Sequence, residues 1–310
     1  MTNRLSKAPV MILATVISLL VGCGGDAEVK VVDFSKTVEI EQPARPAATT
    51  EHFRVAVGAM ISPRETINLY HDLLDYISNR LGREIELVQR KTYGQINTLF
   101  TTEEIDLAFI CSGPYATGKD RYGFHALAVP QIHGNHLYHS YLIVHKDSPY
   151  KVFSELKGKI FAFTDPDSNT GHLVPAYWLS LQGETPENYF DRTIYTYSHD
   201  NSIMAVAMGL VDGAAVHGQI WEFYNERNPV YTSKTRIIKK STGFGNPLLV
   251  AARNLPSQTK KDISELLFTM HQDRRGKTIL DELMIERFVT PDDRWYQPIV
   301  AMKQQCDQIQ

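Results

Sequence analysis

The sequence predicts an α/β fold in two lobes, and three observations carry that prediction. Short apolar strands alternate with amphipathic helices, the pattern of a mainly parallel, open sheet. Several strands run straight into small polar residues that open a helix. Two apolar strands, at 140–144 and 248–252, are placed where the chain would cross from one lobe to the other and back. A length of 310 residues suits about two domains.

The first strand covers 53–58 and leads through Met60-Ile61-Ser62 to a helix. Ser62-Pro63-Arg64-Glu65 has capping-box spacing with proline at the first helical position. Ile67, Leu69, Tyr70, Leu73, Leu74 and Ile77 give that helix its apolar face, and Gly82 stops it. A second strand spans 85–88, and Thr92-Tyr93-Gly94-Gln95 starts a helix reaching Phe100. The third strand, 105–110, runs into Cys111-Ser112-Gly113-Pro114, again a loop opening onto a helix. Ligands in open α/β sheets sit beyond the carboxyl ends of strands, where Ser62, Tyr93 and Ser112 all fall. A strand at 124–130 follows. His133, His136, His139 and His145 come next, and metal ligation is the tempting reading. Alternate strand residues face opposite ways, and no cysteine or carboxylate completes a zinc-like set. They read as loop and edge histidines.

The second lobe is expected over 141–247, and the first over 53–140 plus 248–310. Its informative stretch begins as a strand at 161–163. It breaks at Asp165-Pro166 and continues through Asp167-Ser168-Asn169-Thr170-Gly171-His172 into a helix with Leu173, Ala176, Tyr177 and Leu181 on its apolar face. The first N–H groups of a helix have no internal partner, and the macrodipole places partial positive charge there. An anion can use both. Capping accounts for one of Ser168 and Thr170; the polar residues outnumber what one cap needs. Further strand-to-helix junctions follow at Thr193–Ser202, where His199 sits, and at 211–218, where His217-Gly218 opens the helix of Trp221. The segment 237–242 leads toward Gly245-Asn246-Pro247. Helices at 263–275, 277–282 and 296–304 are expected to pack on the first lobe.

The amino terminus reads as a leader. Arg4 and Lys7 precede an apolar run over 10–21, too short to span a bilayer and suited to a secretory signal. It ends in Leu20-Val21-Gly22-Cys23, which resembles a bacterial lipobox. That resemblance implies cleavage before Cys23, its lipidation, and a periplasmic domain anchored to the inner or outer membrane. Residues 1–22 form the signal and 23–52 a polar tether. Without the leader the chain has 30 basic and 35 acidic residues, a formal charge of −5. An acidic protein must hold an anion with local dipoles rather than a global field. The balance and the lack of a basic cluster interleaved with aromatics argue against nucleic acid. Cys111 and Cys306 are expected as free thiols.

Together these features resemble the phosphate/phosphite/phosphonate-binding components of ABC transporters over about 53–302. The motif is Asp165-Pro166-Asp167-Ser168-Asn169-Thr170-Gly171-His172-Leu173-Val174-Pro175, similar to the family's Asp-Pro-x-Ser-Thr-Ser-Gly-x-Leu-x-Pro loop. Tyr93, Asp106 with Gly113-Pro114, Ser198-His199, Asp212 and Asn246-Pro247 also match. The resemblance implies a bilobal type II periplasmic binding protein, a monomer without cofactor. It implies ligand contacts from Ser168, Asn169, Thr170 and their neighbours Gly171 and His172, and from Tyr93 and His199. Cys111, Ser112, Ser62, His217 and Asn246 complete the candidate set. Asn246 stands where aminoalkylphosphonate binders carry an acid, which implies a compact oxyanion without an amine tail. The expected partner is an ABC permease. The alternative is a sensor of the same fold, for arsenite or a similar oxyanion, that signals to a histidine kinase. No Gly-x-Ser-x-Gly, Walker or His-Glu-x-x-His motif supports an enzyme.

Overall fold

A computed structural model describes residues 52–309. The leader, Cys23 and most of the tether lie outside the described residues. The chain runs β1 (Phe53–Val57), α1 (Pro63–Leu81), β2 (Ile85–Val88), α2 (Tyr93–Thr101), β3 (Leu107–Ile110), α3 (Ser112–Tyr122) and β4 (His125–Gln131). After β5 (Leu137–Tyr138) come β6 (Ser140–His145), β7 (Ile160–Phe163), α4 (Val174–Ser180), α5 (Pro186–Tyr189) and β8 (Arg192–Tyr195). Next are α6 (His199–Ala207), β9 (Gly213–His217), α7 (Gly218–Arg227) and β10 (Thr235–Lys240). The chain returns through β11 (Phe244–Gly245) to β12 (Leu248–Ala251), α8 (Ser257–Thr269), α9 (Arg274–Glu282), β13 (Arg287–Val289) and α10 (Gln297–Asp307).

Two sheets organise these elements. Lobe 1 has the order β13-β4-β12-β3-β1-β2, and lobe 2 the order β10-β6-β9-β7-β8. The chain changes lobe at β5 and β11, which pair antiparallel as Leu137 with Gly245 and Tyr138 with Phe244. Both sheets are mixed, not mainly parallel as the alternation of elements suggests. β2, β1 and β3 run parallel, as do β8, β7 and β9. β12 is antiparallel to β3 and β4, and β6 to β9 and β10. The reason is directional. A strand arriving from the other lobe starts at the cleft and runs outward, against strands whose carboxyl ends point at the cleft.

Several local expectations are corrected. Ser62 does precede α1, but its side chain makes no cap; its N–H instead donates to Asp200 Oδ1 at 2.9 Å. The capping box belongs to α2, between Thr92 and Gln95. The helix expected at 263–275 is divided, because Asp273 caps α9 by accepting from the Gly276 N–H. The strand β13 lacks a sequence signal, being three residues of an edge. The last helix does not pack on lobe 1 alone. α10 lies against α3 of lobe 1 and α4 of lobe 2, and Ile299 and Met302 join one apolar cluster with Ile96 and Leu99 on one side and Phe153 and Phe161 on the other.

Ile299 is fully buried there. Replacing Ile299 with Ala removes three carbons from a seam shared by both lobes. We expect a loss of about 2–5 kcal/mol in urea unfolding.

Candidate functional site

The turn after β7 has an unusual form with a traceable cause. Residues Asn169–Leu173 make a π-helical turn with Ser168 as its N-cap. Leu173 N–H donates to Ser168 O and Val174 N–H to Asn169 O, each five residues back. The same pattern would bring residue 175 to the Thr170 carbonyl, but Pro175 has no N–H. That carbonyl accepts from Ser140 Oγ at 2.7 Å instead. The Gly171 carbonyl accepts from Thr164 N–H at 3.2 Å. Ser168 Oγ accepts from Gly171 N–H at 3.0 Å. A side chain at Gly171 would place Cβ 2.4 Å from Thr164 Oγ1, so the turn is pressed flat on β7. The turn is thereby bound on every side while Thr170 Oγ1 and Asn169 Oδ1 stay without partners.

Those tips belong to the candidate site. Ser168, Asn169 and Thr170 are fully buried, as are His199 and Asn246. Thr170 Oγ1, Asn169 Oδ1, His199 Nε2, His217 Nδ1 and Tyr93 OH are buried with no hydrogen-bond partner. Tyr93 comes from lobe 1 and the others from lobe 2. Orphaned buried polar atoms are rare and costly. Asn169 Nδ2 reaches Tyr138 OH at 3.1 Å; with the amide turned over, Tyr138 donates to Oδ1 and Nδ2 becomes the free donor. Tyr138 also bonds Ser112 Oγ and lays its ring on His217, centroids 4.2 Å apart. This tyrosine, on the crossing strand β5, is the residue sequence reading missed. Its surroundings are loop-like, and no spacing marks it.

The histidines are held neutral. His217 N–H donates to His199 Nδ1 at 3.1 Å, and Thr164 Oγ1 lies 3.0 Å from the same nitrogen. A backbone N–H can only donate, so His199 Nδ1 is the acceptor and its proton sits on Nε2. That fixes an N–H donor on the orphaned atom. Burial holds the His199 pKa down to about 3. Burial also pushes His217 well below its usual value, with the neighbouring His199 adding to the effect. Among the described residues, no Lys or Arg hydrogen-bonds to this group. It is a set of neutral donors in a desolvated place.

Protein contacts already close the lobes over it. Asp165, buried beside the turn, accepts the Tyr93 N–H at the start of α2 at 3.1 Å. It also accepts Asp167 N–H at 2.9 Å. Burial raises its pKa. His199 N–H donates to Met60 O, and Asp200 holds Ser62 N–H. Gly113, in the first turn of α3, has room for nothing larger; a Cβ there would meet Asp167 O at 2.6 Å and Asn169 N at 3.0 Å. Lys91 sits over the Tyr197 ring, 4.2 Å from its centroid.

The remaining candidates have other placements. Cys111 is the buried N-cap of α3; its thiol pKa is raised by burial and offset by the Asn169 and Gly113 N–H groups. Cys111 and Cys306 are both free thiols. Ser62 lines the lobe contact by its backbone. His172 packs edge-on to Phe163 at 4.8 Å and near Tyr195 at 5.8 Å, and burial lowers its pKa. Asn246 donates to Pro130 O at 2.9 Å at the return crossing, with Oδ1 unpartnered. The histidine series disperses: His136 stacks on Trp295 and His139 Nδ1 lies 2.9 Å from Ser241 O.

A family model described as the periplasmic substrate-binding protein of phosphonate ABC transporters matches residues 55–296. The chain belongs to that family. As a member it is a periplasmic substrate-binding component of an ABC transporter. It is similar to the probable ABC transporter phosphite-binding protein PhnD1 of Prochlorococcus marinus (strain MIT 9301), at 24% identity over 75% of this chain and 82% of the relative. Two solved structures share its fold. One is a binding protein component of an ABC phosphonate transporter from Pseudomonas aeruginosa, with TM-score 0.79 and 22% identity over 84% of this chain and 88% of that one. The other is PhnD1 from Prochlorococcus marinus in complex with methylphosphonate, with TM-score 0.75 and 20% identity over 83% of this chain and 98% of that one. The family member therefore has the bilobal type II periplasmic binding protein fold. These relatives carry transport names, and none supports the kinase-sensor alternative.

The neutral histidine of this family member has a pH signature. Folded His199 protonates only near pH 3, whereas an unfolded histidine does so near 6.5. Its contribution to stability is complete above about pH 6.5 and is lost as pH falls toward about 3. Replacing His199 with Gln should flatten that acid limb in denaturation measured from pH 7 to 3.5. An unchanged slope would contradict the assignment.

Proposed function

We propose that this protein captures a small phosphorus oxyanion, either phosphite, phosphate or a simple phosphonate, and delivers it to an ABC permease. One observation carries the reading. Tyr93 OH, Thr170 Oγ1 and His199 Nε2–H are buried donors without protein partners, contributed by both lobes, and the Asn169 amide, turned over against Tyr138 OH, frees a fourth. A tetrahedral anion offers acceptors to all of them at once. The family match and the methylphosphonate bound by PhnD1 support the same ligand class. Its role is binding: neutral histidines and a hydroxyl-rich turn supply bonds to oxygen. Cys23 serves as a lipid anchor that keeps the protein, a monomer, at the membrane surface. Several buried acyl chains, at about 0.8 kcal/mol per CH₂, suffice for that.

The magnitudes are consistent with capture. A hydrogen bond to a charged acceptor contributes roughly 1.5–3 kcal/mol. Four such bonds, added to lobe closure, can exceed the lower part of the roughly 4–15 kcal/mol cost of association. Calorimetric titration with phosphite, phosphate and methylphosphonate should show at least one of them binding at micromolar or lower concentration. Replacing Thr170 with Val, which keeps the shape, should weaken that ligand about 10- to 150-fold. Folded protein that responds to none of the three would overturn the proposal.

A further inference from the structure

Tyr197 is held in a backbone conformation that bulky residues rarely adopt. Its φ is +61°, in the left-handed region. Strain of this kind persists only where the surroundings over-determine it, and it clusters at ligand clamps and switch regions. The surroundings here are visible. Thr196 N–H donates to Phe163 O at 2.9 Å and Tyr197 N–H to Thr164 O at 2.7 Å, which pins the residue to the end of β7, next to Asp165. The ring lies beside that of Tyr195, centroids 6.3 Å apart. Above it, 4.2 Å from the centroid, is the ammonium of Lys91 from the other lobe. The backbone of Lys91 is fixed as well: its N–H donates at 3.1 Å to Gln95 Oε1, the acceptor that also serves the capping box of α2. The two residues hold matching places in the chain. Lys91 precedes the unpaired donor Tyr93 by two residues, and Tyr197 precedes the unpaired donor His199 by two.

From this we infer that Lys91 and Tyr197 form a cation–π latch between the lobes: a pair of positioning residues that leave the ligand to others and hold the closed arrangement around it. The inference rests on the oxyanion reading above, because the latch is read through the affinity of the bound anion. A cation over an aromatic face is attracted by the negative face of the ring, and the left-handed backbone at Tyr197 is the cost of presenting that face. Opening the lobes parts the pair, so the attraction counts only in the closed state. Apparent affinity follows the closed fraction of the protein, and a pair at an exposed place shifts that balance by about two- to fivefold. Because each member sits two residues from a donor, the latch also fixes how closely Tyr93 and His199 approach one another. A ring suits this place better than a carboxylate would. It holds the lysine without adding negative charge beside the site of an anion.

The experiment takes whichever of phosphite, phosphate and methylphosphonate binds the full chain most tightly, and measures its affinity by calorimetry and its dissociation rate by stopped flow. Lys91→Met keeps the length of the stem and removes the charge. Tyr197→Asn removes the ring and tolerates the left-handed backbone. Each should weaken binding by about two- to fivefold, through faster dissociation. The double variant should bind no more weakly than the weaker single one, because an interaction already removed cannot be lost again. Lys91→Arg and Tyr197→Phe, which keep the cation and the ring, should bind as the parent does. If Lys91→Met weakens binding and Tyr197→Asn does not, or if the change lies in the association rate, the lysine acts as a free charge that attracts the anion and the latch is wrong. If Lys91→Met binds like the parent, or the two losses multiply in the double variant, the latch is likewise wrong and the oxyanion reading stands. If the parent binds none of the three anions, both readings fall.

Discussion

Buried hydrogen-bond donors without partners are the constraint on which this structure turns. Each such group costs about 1–3 kcal/mol once it is removed from water. Thr170, Asn169, His199, His217 and Tyr93 all present one unpaired polar atom in the closed arrangement. Closing the lobes without an acceptor leaves that cost uncompensated. In the proposed function an oxyanion supplies those acceptors and makes the same geometry favourable. Ligand and closure are thus linked by hydrogen-bond satisfaction rather than by charge pairing, which suits a chain whose net charge is negative.

The second feature is how little of the closure belongs to the ligand. Asp165 takes the first N–H of α2 across the lobe boundary, Asp200 takes that of Ser62, and Met60 O receives that of His199. These contacts align the lobes with protein groups, so the unpaired donors converge without having to do the aligning. Two carboxylates at a helix or loop terminus use the partial positive charge that an anion also seeks. Their positions therefore matter twice. They hold the lobes, and they occupy termini that are not the ligand's.

Neutrality is maintained by position. His199 has its Nδ1 fixed as an acceptor by the last backbone N–H of β9, and burial keeps the ring uncharged. A charged histidine would give stronger attraction and would also make the site respond to every change of pH. The neutral donor gives an orientation-dependent bond that persists across the periplasmic range. Tyr138 plays the corresponding part on the other side: it ties Ser112, Asn169 and His217 together from the crossing strand. Because the chain changes lobe at this strand, one residue ties the site to the crossing.

The sequence alone determined the strand and helix alternation, the polar turn at 168–170, the junctions at Tyr93, Ser112, His199 and His217, and the resemblance that named the family. These depend on local pattern, where neighbours in the chain are neighbours in space. It did not determine the sheet directions, since those follow from which lobe a strand comes from, or the edge strand β13, which has too few residues to show a period. Nor could it find Tyr138, because an unremarkable tyrosine becomes a hub only when β5 and the turn after β7 meet. The sequence read Ser62 as a cap and His172 as a ligand contact; the structure gives the cap's N–H to Asp200 and packs His172 against Phe163. Tertiary structure alone decided which donors were left unpaired, since a hydroxyl or imidazole is satisfied or orphaned by residues remote in sequence.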